Sequence, residues 1–119
     1  MSIESRILVE NITEEAADST FVYSNKNKGA GFHRVNNGVH TYVYQTDDFV
    51  GTIKLQATLE MYPGDADWFD IDNTTVGLLG DSTEFQSDAV TGNFTGQFLW
   101  IRAAYNLQNG TITQIRYNF

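Results

Sequence analysis

The chain has 119 residues, enough for one domain and not two, and it has no cysteine, which excludes a disulfide scaffold, a thiolate zinc site and a cysteine nucleophile. Fifteen acidic residues outweigh seven basic ones, for a formal net charge of -8. The basic residues Arg6, Lys26, Lys28, Arg34, Lys54, Arg102 and Arg116 are scattered, so wrapping of a nucleic-acid backbone and attachment to an anionic membrane are both disfavoured.

The first residues, Met1 to Ser5, carry no basic stretch followed by an apolar run, and no window reaches the length of a membrane span. The expectation is a protein made in a cytoplasm and not secreted by a signal peptide. The sequons at Asn11, Asn73, Asn93 and Asn109 are then by-products of an Asn- and Thr-rich chain. Residues 1–12 are expected to form an edge strand, or an arm that orders against a neighbour. Within them Arg6–Asn11 reads as a strand, and Thr13–Asp18 as about one helical turn.

The next strands are expected at Thr20–Ser24, Gly31–Val35 and Val39–Gln45, the last two joined by an Asn37-Gly38 corner. Both central residues of a type I′ turn need positive φ, which Asn tolerates and Gly takes freely. Such a hairpin would set His33 diagonal to His40, a two-His arrangement lacking a third metal ligand. From Thr52 to Met61, Ile53, Leu55, Ala57, Leu59 and Met61 alternate with polar residues. This predicts a strand with one buried and one wet face.

Further strands are predicted at Trp68–Ile71, Val76–Leu79, Phe85–Phe94, Gln97–Leu107 and Thr111–Phe119, with Asn109-Gly110 as a second hairpin corner. On the last strand Thr113, Ile115, Tyr117 and Phe119 share one face. Eight or nine short strands with breaks between them predict an all-β fold. A single antiparallel sandwich, jelly-roll-like, spanning residues 1–119, fits that count.

Chemistry-bearing patterns are sparse. No Gly-x-Ser-x-Gly elbow accompanies the Ser, His and Asp residues, and Glu60, Asp65 and Asp67 sit in a chain too short for a long glycosidase cleft. Asp65, Asp67, Asp70 and Asp72 offer oxygens that calcium favours. They lack the Gly, the bidentate Glu and the flanking helices of an EF-hand, and the alternative is a solvated loop. No other cofactor is expected. Aromatics form 13% of the chain. Tyr42 and Tyr44 share a strand face, Trp100 shares one with Phe98 and Arg102, and Phe119 ends the apolar face of the last strand. These six residues are interaction candidates, for protein or for sugar. The alternative is that the rings build the core.

Several stretches, in order, resemble a known group. They are Phe49-Val50-Gly51-Thr52-Ile53-Lys54-Leu55-Gln56-Ala57-Thr58-Leu59, Asp67-Trp68-Phe69, Gly92-Asn93-Phe94, and Leu99-Trp100-Ile101-Arg102-Ala103 with Gly110-Thr111-Ile112. This order is similar to small β-sandwich structural proteins of tailed, T4-like bacteriophages of marine and cyanobacterial hosts. The first 45 residues carry none of it. The resemblance implies a virion component without catalytic residues: a head decoration protein, a neck or collar piece, or a tail accessory. Its partners would be other virion proteins in a homo-oligomeric or multi-copy assembly. A carbohydrate-binding jelly-roll module, with structural calcium or a host glycan as ligand, is the competing expectation.

Overall fold

The computed structural model describes residues 5–13, 21–33, 38–76 and 89–118. Among them the strands are β1 (Ser5–Ile12), β2 (Val22–Tyr23), β3 (Asn27–Lys28), β4 (Val39–Thr58), β5 (Phe69–Asp70), β6 (Ala89–Thr95) and β7 (Trp100–Asn118). A single helical turn, Ala30–His33, precedes β4, and a 3-10 turn, Asp65–Asp67, precedes β5.

Two long strands organise everything else. β4 (20 residues) and β7 (19 residues) pair antiparallel from Thr41↔Asn118 to Thr58↔Trp100. Their first-paired halves are flanked by β1 on β7 and β6 on β4. Their other halves are flanked by β2 and β3 on β7 and by β5 on β4. Counting each half separately gives nine strands in two packed antiparallel sheets, the β-sandwich expected from the alternation.

The corner between the sheets is written in bulges. The register of β4 on β7 shifts between Gln45 and Thr46, between Asp47 and Val50, and between Val50 and Gly51. Each extra residue bends the strand and can reverse which face points inward. The inward set on β4 changes from Tyr42, Tyr44 and Thr46 to Phe49, Ile53, Leu55 and Ala57. Gly51 (φ 146°) and Gly110 (φ 85°) take the positive φ that the corner needs.

Asn109-Gly110 does not make its predicted hairpin, and Asn37 of the other pair lies outside the described residues. Asn109-Gly110 lies inside β7, and its glycine is spent on the corner because β4 offers a continuous partner on both sides. Gly38 does take positive φ (81°), but Val39 pairs with Thr95 of β6. Gly31–Val35 is not a strand as far as the described residues go: residues 30–33 are helical and 34–37 lie outside them. The diagonal pairing of His33 with His40 is therefore not formed. All but Thr13 of the predicted turn at Thr13–Asp18, and most of Val76–Leu79, also fall outside the described residues. Val76 itself bridges Ile53. β3 falls between the predicted strands Thr20–Ser24 and Gly31–Val35.

Two faces differ from expectation. The last strand buries Ile112, Ile115 and Tyr117 together while Thr113 is exposed. One extra residue of β7 opposite Gln45/Thr46 puts Ile112 and Ile115 on the same side. The supposed wet face of Thr52–Met61 is largely covered by neighbouring side chains: Thr52, Gln56 and Thr58 are buried, whereas Leu59 and Met61, beyond the strand end, are exposed.

The core is Tyr44, Phe49, Ile53, Leu55, Ile101, Leu107, Ile112, Ile115 and Tyr117 with their neighbours. Each fully buried aliphatic or aromatic side chain contributes roughly 1.5–3 kcal/mol. Thr74, buried inside it, is paired on both sides. Thr74 Oγ1 donates to the Ile71 carbonyl at 2.7 Å and accepts from the Leu55 amide at 3.2 Å.

Candidate functional site: an aromatic and cationic face with an adjacent cleft

Trp100 and Arg102 alternate with the buried Ile101 and Ala103, so β7 aims them at the outer side of the second sheet. There the Arg102 guanidinium lies 4.1 Å from the centre of the Tyr23 ring and 4.3 Å from that of Trp68. A planar, weakly hydrated cation is suited to that stacking. Its Nε–H donates to Gln56 Oε1 at 2.8 Å. Gln56 Nε2 donates to Asp70 Oδ1 at 2.9 Å, and Lys54 Nζ donates to Asp70 Oδ2 at 3.1 Å. The result is a ladder, Arg102–Gln56–Asp70–Lys54, crossing β7, β4 and β5. Hydrogen bonding from Gln56, and then from the Lys54 ammonium, holds the Asp70 carboxyl below its ordinary range against partial burial. Burial pulls the Arg102 guanidinium below its ordinary value, against the pull of Tyr23 and Asp65.

A second chain of contacts adjoins it. Trp100 Nε1–H donates to the Met61 carbonyl at 3.0 Å, and Phe32 meets Trp100 edge-on at 5.1 Å. Lys26 Nζ sits 5.0 Å from the Trp100 ring centre, Lys28 Nζ 4.6 Å from that of Phe32, and Lys54 Nζ 4.6 Å from that of Phe21. Four of the seven basic residues in a chain of net charge -8 thus rest on aromatic rings around one flank. Next to the Met61 carbonyl that Trp100 bonds, Leu59, Met61 and Tyr62 are exposed, the last 92% accessible.

The predicted site residues separate. Trp100 and Arg102 lie on this face as expected. Tyr42 and Tyr44 are core residues: their hydroxyls donate to the carbonyls of Asn73 (2.8 Å) and Thr74 (2.7 Å), tying the turn after β5 to β4. Burial raises both phenols. Phe98 precedes β7 and turns away from Trp100, packing with Phe69, Phe94 and His40. Phe119 lies outside the described residues. Tyr23, Trp68, Gln56 and Lys54 belong to the face and were not singled out.

The four aspartates do not converge. Asp67 Oδ2 accepts the Gly64 amide at 2.8 Å, Asp70 is engaged in the ladder, and Asp65 and Asp72 are exposed. Among the described residues no three His, Cys, Asp or Glu side chains are grouped to hold a metal ion.

A cleft of about 330 Å³ opens between β5 with its following turn and the end of β6. Phe69, Asp72 and Asn73 form one wall, Asn93 and Phe94 the other, and Phe98 lies between. Phe69, which directly follows Trp68 of the cationic face, and Asn93 and Phe94 meet here.

His40 stands apart as a buried structural group. Its Nε2 accepts the Ala30 amide at 3.0 Å, and its Nδ1–H donates to the Gly38 carbonyl at 2.9 Å. That network sets the tautomer. Burial pulls its pKa down to about 4, against the opposing hydrogen bonds to Gly38 and Phe94.

No protein-family model matches this chain, and a search of curated proteins returns no match.

Proposed function

We propose that the protein is a non-catalytic structural component of a tailed-phage particle, present in many copies, that docks through its aromatic and cationic face onto the acidic surface of a neighbouring copy. One observation carries this reading: four ring-stacked cations are gathered on one flank of a molecule whose net charge is -8. Trp, Tyr and Arg are the residues that dominate binding energy at protein interfaces. Their charge complements the remaining acidic surface of the same molecule, and a contact between unlike patches propagates from copy to copy. The resemblance of the residues from Phe49 onward to phage virion proteins supports the assignment to a particle.

Sedimentation of the purified protein over a range of concentrations and salt is the test. Self-association that weakens with salt and is abolished in Arg102→Ala and Trp68→Ala is the expected result, with antibody to the chain detecting it in purified particles. A protein that stays monomeric at every concentration and is missing from particles overturns the proposal.

A further inference from the structure

The cleft between β5 and β6 has a lining that selects a class of ligand. At about 330 Å³ it falls at the small end of ligand sites. No Lys, Arg or His among the described residues lines it, so nothing among them offsets the charge of a phosphate, sulfate or carboxylate ligand, and Asp72 opposes one. The Asp70 carboxylate is already engaged by Gln56 and Lys54, which leaves little for a cationic ligand. What remains is the Asp72 carboxylate and neutral hydrogen-bonding groups beside aromatic rings. Asn93 Oδ1 accepts the Thr41 hydroxyl at 2.9 Å, which orients the carboxamide with its amino group still a donor. Asn73 is fixed through its carbonyl by Tyr42. Phe69, 40% accessible, stands at the mouth, edge-to-face with Phe98 at 5.6 Å. Phe98 is held from behind by Gly96, where a Cβ would come within 2.3 Å of its Cζ.

We propose that this cleft binds a neutral saccharide ring, whose C–H face lies on Phe69 while its hydroxyls bond to Asp72, Asn73 and Asn93. A pyranose matches such a lining because it joins an apolar face to a rim of donors and acceptors. A carboxylate accepts two hydroxyl protons at once, and carboxamides both donate and accept. The walls are preorganised by Tyr42, Thr41 and Gly96, so little ordering cost falls on binding. This site goes beyond the proposed docking and shares none of the cation-stacked rings.

Titration of the purified chain with neutral mono- and disaccharides of glucose, galactose and mannose, followed by amide NMR shifts, tests the idea. Binding with a Kd of about 1 mM or tighter is expected, with shifts centred on Asn73 and Asn93. Phe69→Ala and Asp72→Ala, each checked for an unchanged circular dichroism spectrum, should weaken it about tenfold or more. Arg102→Ala should bind sugar as the wild type does, and Phe69→Ala should self-associate as the wild type does, so the two proposals fail separately. Absence of shifts with every neutral sugar, or a response only to a lysine- or arginine-containing peptide, overturns the inference.

Discussion

The Tyr44 hydroxyl, inside the core, donates to the Thr74 carbonyl at 2.7 Å. This bond, with that from Tyr42 to Asn73, fixes the turn that forms one wall of the cleft to the strand that crosses both sheets. Tyr44→Phe keeps the ring and strands a buried carbonyl. A loss of about 1–3 kcal/mol is expected in urea unfolding, with the m-value unchanged. An unfolding midpoint equal to that of the wild type would refute the role assigned to this bond.

His40 makes acid stability a sharp prediction. Its folded pKa of about 4 lies below the unfolded value of 6.5, so the unfolded chain takes up the proton first. The contribution is fully present above pH 6.5 and is lost as the pH falls toward 4. By about pH 4.5 the loss should reach roughly 2–3 kcal/mol. Asp70 also loses its contribution on acidification, as the pH falls through the ordinary carboxylate value, which lies below the interval from pH 6.5 to 4.5. His40→Gln, whose carboxamide can accept from Ala30 and donate to Gly38, should show a flatter profile of urea midpoint against pH across that interval.

Gly51 and Gly64 separate a required glycine from a permissive one. A Cβ on Gly51 would lie 1.9 Å from the Asn106 carbonyl oxygen, at φ 146°. Gly51→Ala should cost about 3 kcal/mol or more, or fail to yield folded protein. At Gly64 the nearest atom is Asp67 Oδ2 at 3.6 Å, and Gly64→Ala should stay within about 0.5 kcal/mol. Thermal unfolding of the pair decides, and equal melting temperatures would contradict the corner described for β4.

The ladder on the second sheet predicts an asymmetry between its rungs. Lys54 and Asp70 are both partly exposed (19% and 54% for the side chains), so Lys54→Met should cost no more than about 1 kcal/mol. Gln56 is buried and serves both Arg102 and Asp70, so Gln56→Leu should cost about 1–3 kcal/mol. Denaturant midpoints for the two variants, compared side by side, check the order.

Alternation from Ile53 to Ala57 made the strand and its inward set legible, because a period of two is a property of the local sequence. The corner was not legible. Whether Gly110 turns a hairpin or bends one continuous strand depends on β4 lying opposite it, more than fifty residues away in sequence. The same holds for the faces after each bulge, which is why Thr113 does not share the inward face of Ile115 and Tyr117. Thr52 and Gln56 look like surface residues until three strands place partners around them. Trp100 and Arg102 were legible as a pair on one face. Tyr23 and Trp68 were not, since each reaches Arg102 from a different short strand or loop.

The pairing scheme has a consequence for how the chain acquires its shape during synthesis. β1, β2, β3 and β4 all hydrogen-bond to β7, the last strand of the described residues to be translated. Until it leaves the ribosome the earlier segments have no shared template, and β4 displays an unsatisfied edge to other nascent chains. Completion should therefore wait until β7 has been made, be slow for a domain of this size, and leave the earlier strands exposed to misassociation until then.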